Sequence, residues 1–154
     1  MIAVDANILV YAHREDSPFH PAAFRCIAGL AAGAASWGIP WPCLHEFLAI
    51  VTHPRIYRPP TPLARALDQV DAWLESPTIA LLTESAAHWA TLRTMLAAGR
   101  VAGPMVHDAR VAALCRQHGV RELWSADRDF SRFAGLMVAN PLFGQAGVVP
   151  GQGQ

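Results

Sequence analysis

The sequence contains no lysine: all twelve of its basic residues are arginines. Twelve acidic residues balance them, so the formal net charge is zero. A site that binds an anion must therefore use arginine, histidine, backbone N–H groups or a metal ion. Zero net charge provides no long-range attraction to nucleic acid, but it does not exclude a local basic patch.

Cysteine and long apolar runs are also scarce. The three cysteines, Cys26, Cys43 and Cys115, have no Cys-x-x-Cys spacing, which favours reduced thiols in a core over zinc ligands or a disulfide framework. The first residues lack the basic and long apolar segments of a signal peptide. No apolar run approaches the ~18 residues that a membrane span needs. We therefore expect a cytoplasmic protein with no membrane segment.

The chain is long enough for one domain with a sizeable core, since it has 154 residues and is 53% apolar. Short β-prone runs alternate with helical patterns, which is typical of βαβ units. We expect an α/β fold, a three-layer α/β/α sandwich with a mostly parallel sheet of about five strands, in residues 1–142. A flexible tail should occupy 143–154. The predicted strands are 2–4, 37–39, 78–82, 120–125 and 136–139.

Two of these strands end in aspartates. Asp5 follows the first strand in "VDANILVYA", and Asp127 follows the fourth strand in "LWSADRDF". Ligands of parallel sheets bind beyond the carboxyl ends of the strands, where the strand order reverses. If the two strands are neighbours, their aspartates converge.

Two further acids lie on predicted helices. Asp108 shares the face of its helix with Val111, Ala112 and Cys115, and a carboxylate on an apolar face is costly unless it is paired or binds a metal. A buried ion pair with an arginine, or an exposed first turn, would also explain it. Glu46 lies opposite the apolar stripe of its helix, so taken alone it is better explained as a solvated side chain.

Taken together, the four acids predict a metal site. Carboxylates brought close to one another repel, and some would stay protonated near neutral pH without a cation. An all-oxygen cluster suits Mg²⁺ or Mn²⁺ better than zinc or copper. Such ions can orient a phosphodiester and activate a water molecule.

Four segments resemble the PIN-domain family, and within it the VapC-type ribonuclease toxins of toxin–antitoxin pairs. They are "VDANILVYA", "CLHEFLAIV", "HDARVAALCRQHG" and "LWSADRDFSRF". The resemblance implies an endoribonuclease that depends on Mg²⁺ or Mn²⁺. It also implies an RNA substrate and a cognate antitoxin, and we expect a homodimer.

The resemblance assigns roles to particular residues. It implies an acidic quartet of Asp5, Glu46, Asp108 and Asp127. Asp5, Asp108 and Asp127 would hold the metal, while Glu46 would complete the shell or act as a general base. Auxiliary positions fall on Asn7, Ser125 and Asp129, and Asp129 either contacts the metal, directly or through water, or does not reach it.

Several other side chains are candidates for lesser roles. Arg110 and Arg128, each close in sequence to an acid, would bind phosphate or form structural ion pairs. Trp41 is a candidate RNA contact, whereas Trp73 and Trp89 lie on apolar stripes and are predicted to be core residues.

Two other functions compete with this prediction. A phosphohydrolase with a nucleophilic aspartate would need a second aspartate two residues on and a lysine, but Asp5 is followed by Asn7 and lysine is absent. A non-catalytic PIN-like module that binds RNA or a protein partner is the other alternative. The complete acidic quartet argues against it.

Overall fold

The computed structural model describes residues 1–143, which form five strands, six α-helices and a short 3₁₀ helix. The predicted tail, 143–154, lies outside the described residues apart from Phe143. The elements are β1 Ile2–Val4, α1 Ala6–His13, α2 His20–Ala32, β2 Trp37–Pro40, α3 Trp41–Val51, α4 Leu63–Leu74, β3 Ile79–Leu82, α5 His88–Gly99, α6 Met105–Gln117, β4 Glu122–Trp124, the 3₁₀ helix Arg128–Arg132 and β5 Met137–Ala139.

The five strands form one parallel sheet in the order β3-β2-β1-β4-β5. The chain therefore builds outward from β1 to β2 and β3, and then returns to place β4 and β5 on the other side of β1. The strand order reverses between β1 and β4, which is the position at which such sheets bind ligands. The predicted parallel sheet of five strands is confirmed.

The helices form two groups. α1 packs on α2 and α3, and α3 packs on α4, whereas α5 packs on α6. Right-handed crossovers place the helices of the β1 to β3 units on one face of the sheet, and the helices of the return connection on the other. The result is the predicted three-layer sandwich, with Ala3 and Val4 of β1 fully buried at its centre.

Local sequence explains where the elements near the sheet edge begin and end. Asp5 ends β1 and caps α1, because its carboxylate accepts the N–H of Ala6. Asp127 caps the 3₁₀ helix by accepting the N–H of Asp129. Gly119 follows α6 at φ 65°, a left-handed conformation that glycine adopts without steric cost.

Some of the core predictions hold and one is wrong. Trp73 is buried as expected, but Trp89 is 65% exposed. Trp89 lies in the first turn of α5, before Leu92, Met95 and Leu96, the residues of that helix that pack in or against the core. Helical spacing alone therefore overstated how far the buried face of α5 extends.

The three cysteines are free thiols, as predicted, with Cys43 and Cys115 buried. None of the helices within residues 1–143 combines the length and apolar character that crossing a lipid bilayer requires.

Candidate active site

The site begins at the junction of the two central strands. β1 and β4 pair in parallel with Val4 opposite Trp124, and the N–H of Asp5 donates to the carbonyl of Trp124 at 3.0 Å. Asp5 and Ser125 therefore leave the sheet side by side, and Asp127 follows two residues later. The predicted convergence of the two strand ends is present in the structure.

The carboxylate of Asp5 is buried and accepts four hydrogen bonds. Its Oδ1 accepts the N–H of Ala6 at 2.8 Å and the thiol of Cys43 at 3.5 Å. Its Oδ2 accepts the hydroxyl of Ser125 at 2.7 Å and the amide of Asn7 at 3.3 Å. These donors fix the direction of the carboxylate without an opposing charge.

Ser125 is the centre of the network that supports Asp5. Besides donating to Asp5, its hydroxyl oxygen accepts the amide of Asn7 at 3.2 Å and the N–H of Asp127 at 3.0 Å. The side-chain oxygen of Asn7 accepts the N–H of Ala126 at 3.1 Å. The two residues together join the start of α1 to the loop after β4.

Three other carboxylates form a compact cluster. One oxygen each of Asp108, Asp127 and Asp129 lies within 4.8 Å of the other two. Asp108 comes from the first turn of α6, whereas Asp127 and Asp129 come from the start of the 3₁₀ helix. This all-oxygen set is one that divalent cations bind.

Asp5 and Glu46 lie beside this cluster rather than within it. Both line, with Asp108 and Asp129, a cleft of about 550 Å³ between α3 and α6. Asp129, the auxiliary acid for which the sequence leaves a metal contact open, has its carboxylate in the cluster. The carboxylate of Asp5 borders the same cleft while it accepts its four hydrogen bonds.

The crowding of acids changes their proton affinity. Burial raises the pKa of Asp5, the charge of Asp127 adds to this, and the hydrogen bonds from Ser125, Ala6 and Cys43 oppose it. Partial burial raises the pKa of Asp108, and the charges of Asp127, Asp5 and Asp129 raise it further. Both carboxyl groups therefore hold a proton more strongly than usual.

Glu46 stands at the rim of the cleft with its side chain open to water on one side. Loss of water on its protein side raises the pKa of Glu46, and the charges of Asp5 and Asp108 raise it further. His107 acts in the opposite direction on this pKa. The glutamate that would be solvated if taken alone is electrostatically coupled to the other acids.

The two candidate arginines differ. Arg110 pairs with Glu84, its Nε donating to Oε1 at 2.7 Å, so the structural ion pair is the arrangement present. Arg128 is exposed, and neither salt bridge within residues 1–143 involves it. Nor does Asp108 take part in either bridge, which argues against the buried ion pair considered for it.

Sequence reasoning missed the contact of Cys43 with Asp5, because it treated Cys43 only as a core residue. One signal was available: Cys43 and Glu46 are three residues apart on α3, a spacing that places side chains near each other on a helix. Trp41, the candidate RNA contact, is partly exposed and packs on His45 with ring centroids 5.9 Å apart. His45 in turn lines the acidic cleft.

The fold has counterparts among known proteins. The family model described as PIN domain matches residues 2–136, and the chain belongs to the PIN domain family. Its relatives include Ribonuclease VapC48 of Mycobacterium tuberculosis, 31% identical over 91% of this chain and 97% of that protein. Ribonuclease VapC43 of the same organism is 35% identical over 94% of this chain and 98% of its own length.

Solved structures share the fold. One is Mycobacterium tuberculosis VapC20, described as a sarcin-ricin loop cleaving toxin, with a TM-score of 0.65, 18% identity and coverage of 89% of this chain and 97% of that one. Another is VapBC2 from Rickettsia felis bound to a DNA fragment from their promoter. Its TM-score is 0.63 at 19% identity, and the alignment covers 90% of this chain and 98% of that chain.

Ser125→Ala should destabilise the protein, because Asn7 and Asp5 would each lose a buried partner. We expect a loss of roughly 1–3 kcal/mol in the free energy of unfolding, measured by urea denaturation. Ser125→Thr keeps the hydroxyl and should stay close to the wild type. Ser36→Ala, at an exposed serine outside the network, is the control, and an equal loss there would contradict this account.

Asp108→Asn should change how stability depends on pH in metal-free buffer. Because folding raises the pKa of Asp108 above 3.8, the folded protein holds a proton that the unfolded chain has released. Stability due to this group therefore falls as pH rises above 3.8. The variant should lack this decline and be at least as stable as the wild type at pH 7.

Urea titrations from pH 4 to pH 8 measure this difference, with exposed Asp68→Asn as the matched control. A loss of about 3–5 kcal/mol in Asp108→Asn would instead indicate that its carboxylate is half of a buried ion pair.

Proposed function

We propose that the protein is a metal-dependent endoribonuclease and the toxin of a toxin–antitoxin pair. The observation that carries this proposal is the cluster of Asp108, Asp127 and Asp129 beside the fixed carboxylate of Asp5, at the point where the strand order reverses. The names of its VapC ribonuclease relatives support the substrate class.

Mg²⁺ is the cofactor that best suits these residues, with Mn²⁺ as the alternative. The donor set contains only carboxylate oxygens, which are hard ligands. Asp5, Asp108 and Asp127 would hold the ion, and the position of Asp129 makes it a fourth candidate. When bound, the ion supplies Lewis acidity and lowers the pKa of a coordinated water molecule.

The protein's own groups prepare this chemistry. Ser125 and Asn7 orient the carboxylate of Asp5 by hydrogen bonds, as groups around metal ligands commonly do. Glu46, at the rim of the cleft and with a raised pKa, is placed to bind a water molecule or to accept its proton. Arg128, without a salt bridge among the described residues, is available to a phosphate.

Asp108→Asn should abolish metal-dependent RNA cleavage. A defined set of single-stranded and structured RNAs is incubated with the wild type and with the variant, in Mg²⁺, in Mn²⁺ and in EDTA. Loss of a metal ligand should slow cleavage by more than ~100-fold, since even groups behind the ligands cost 10–100-fold. Asp68→Asn should cleave like the wild type.

Thermal melting gives an independent measure of the metal. Millimolar Mn²⁺ should raise the Tm of the wild type and of Asp68→Asn, and should raise that of Asp108→Asn much less. A wild type that is stabilised by Mn²⁺ but cleaves no RNA would favour the non-catalytic binding module.

The proposed partner is the cognate antitoxin. Exposed apolar side chains on α2 and on the 52–62 loop provide a surface for it: Phe24 is 55% exposed and Ile56 is 54% exposed. An amphipathic helix from the antitoxin would bury such residues. The same surface would serve a homodimer, which stays a prediction.

Expression of the protein alone should arrest growth, and co-expression with the product of the adjacent small gene should relieve the arrest. The two proteins should co-purify as a complex with suppressed cleavage. Asp108→Asn should be harmless alone and still co-purify, because its exposed apolar surface is intact.

Phe24→Glu and Ile56→Glu should weaken co-purification, whereas Trp89→Glu, at an exposed aromatic of α5, should not. If the wild-type protein is harmless on its own and recovers no partner, the toxin assignment fails even though the fold stands.

A further inference from the structure

A second cleft lies next to the acid cluster. It has a volume of about 620 Å³ and lies between the loop that follows β4 and the end of β5. β5 pairs with β4 on the side away from β1, so this cleft extends away from Asp5 and from the acidic cleft between α3 and α6. Its volume is within the ~300–1,000 Å³ of pockets that hold small organic ligands.

Asp127 connects this second cleft to the acids. Its side chain is part of the cluster with Asp108 and Asp129, and it also lines the second cleft. Asp108 and Asp129 line the first cleft. A chain of nucleotides with one phosphate at the cluster can therefore place a neighbouring nucleotide in the second cleft.

The positive charge in the second cleft comes from Arg128, which is exposed and lies one residue after Asp127. Within residues 1–143 no salt bridge neutralises it. A guanidinium group beside a polyanionic ligand forms strong, often bidentate, bonds to phosphate. Arg110, by contrast, is held by Glu84 at the rim of the first cleft.

An aromatic ring stands at the edge of the second cleft. Phe143 is 73% exposed, and its ring packs edge-on against Phe19 with centroids 5.7 Å apart. Phe19 packs in turn on Tyr11 at 5.1 Å. The ring is thus supported on one side while most of its surface is open to water, an arrangement suited to stacking by a nucleobase.

Asn140 adds a directional polar group to the same cleft. Its Oδ1 accepts the N–H of Leu142 at 3.0 Å, which fixes the side-chain amide and leaves its NH₂ group as a hydrogen-bond donor. Bases splayed out of single-stranded RNA are recognised by such a combination of an aromatic face and hydrogen bonds to a base edge.

We propose that this second cleft binds the nucleotide next to the scissile phosphate, with its base against Phe143 and Asn140 and its phosphate at Arg128. The inference rests on the proposed ribonuclease function and specifies where that site contacts an unpaired base. Phe143 is then a binding residue that positions an unpaired base, and it takes no part in the chemical step.

The test compares the wild type with Phe143→Ala on an RNA that the wild type cleaves, and on copies of that RNA with an abasic residue at each position in turn. At one position near the cleavage site the abasic residue should raise the KM of the wild type by roughly 5- to 100-fold. Phe143→Ala should raise the KM of the intact RNA by a similar factor, with kcat little changed. On that abasic RNA the substitution should have no further effect.

Three variants accompany Phe143→Ala. Phe143→Tyr keeps the ring and should retain wild-type KM values, whereas Trp89→Ala removes an exposed aromatic elsewhere and should have no effect. Arg128→Gln should weaken binding about equally for all RNA sequences and reduce the salt dependence of log affinity by ~1.

The outcomes separate this inference from the proposed function. If the wild type cleaves RNA but Phe143→Ala leaves KM unchanged, the nucleotide subsite is overturned and the ribonuclease proposal stands. The same conclusion follows if Phe143→Ala raises the KM of every abasic RNA by the same factor as that of the intact RNA. If the wild type cleaves no RNA with Mg²⁺ or Mn²⁺, the proposed function fails and the subsite fails with it.

Discussion

A single buried carboxylate, that of Asp5, connects the centre of the sheet to the acid cluster. β1 is the middle strand, and Asp5 is at once the residue that follows it and the N-cap of α1. An isolated buried carboxylate is costly, so the four hydrogen bonds that it accepts decide whether it remains in place. Their donors belong to α1, to α3 and to the loop after β4. The same bonds therefore join Asp5 to the helix that carries Glu46 and to the loop that carries Asp127.

Two acids of the cluster have a local structural role as well as a place in the site. Asp127 caps the 3₁₀ helix, and Asp108 lies in the first turn of α6, where the helix dipole favours negative charge. These roles hold the carboxylates together although they repel, and partial burial together with this repulsion raises the pKa of Asp108. The metal-free protein is therefore less stable than it would be with neutral residues at these positions. The same arrangement positions the carboxylates before an ion binds.

The strands, most helices and the strand-end positions of Asp5 and Asp127 were predictable from the sequence because those features depend on local patterns. Strand order does not depend on local patterns. Asp5 and Asp127 converge only because β1 and β4 are neighbours, and the periodicity of the sequence cannot specify which strands are neighbours. The same limit explains the contacts that were missed. Arg110 with Glu84, and Cys43 with Asp5, join residues far apart in the sequence. Trp89 was wrongly predicted to be a core residue for a different reason. An apolar stripe indicates which face of a helix is apolar, but it does not indicate how far along the helix that face is buried.

Because the sequence has no lysine, arginine supplies all of its long cationic side chains. Every long cationic side chain is a guanidinium, which binds carboxylates bidentately and would compete with a metal ion if it reached the acid cluster. Glu84 holds Arg110, the arginine of α6 nearest to Asp108 in sequence, at the rim of the acidic cleft. Arg128 instead lines the second cleft, beside Asp127. The acid cluster is thus free to bind a small cation. The guanidinium group of Arg128 lies to one side of the cluster, where it can bind a phosphate of a ligand. Within residues 1–143 no salt bridge involves Arg128, so the side of the acids that faces β5 offers a guanidinium group to an anionic ligand.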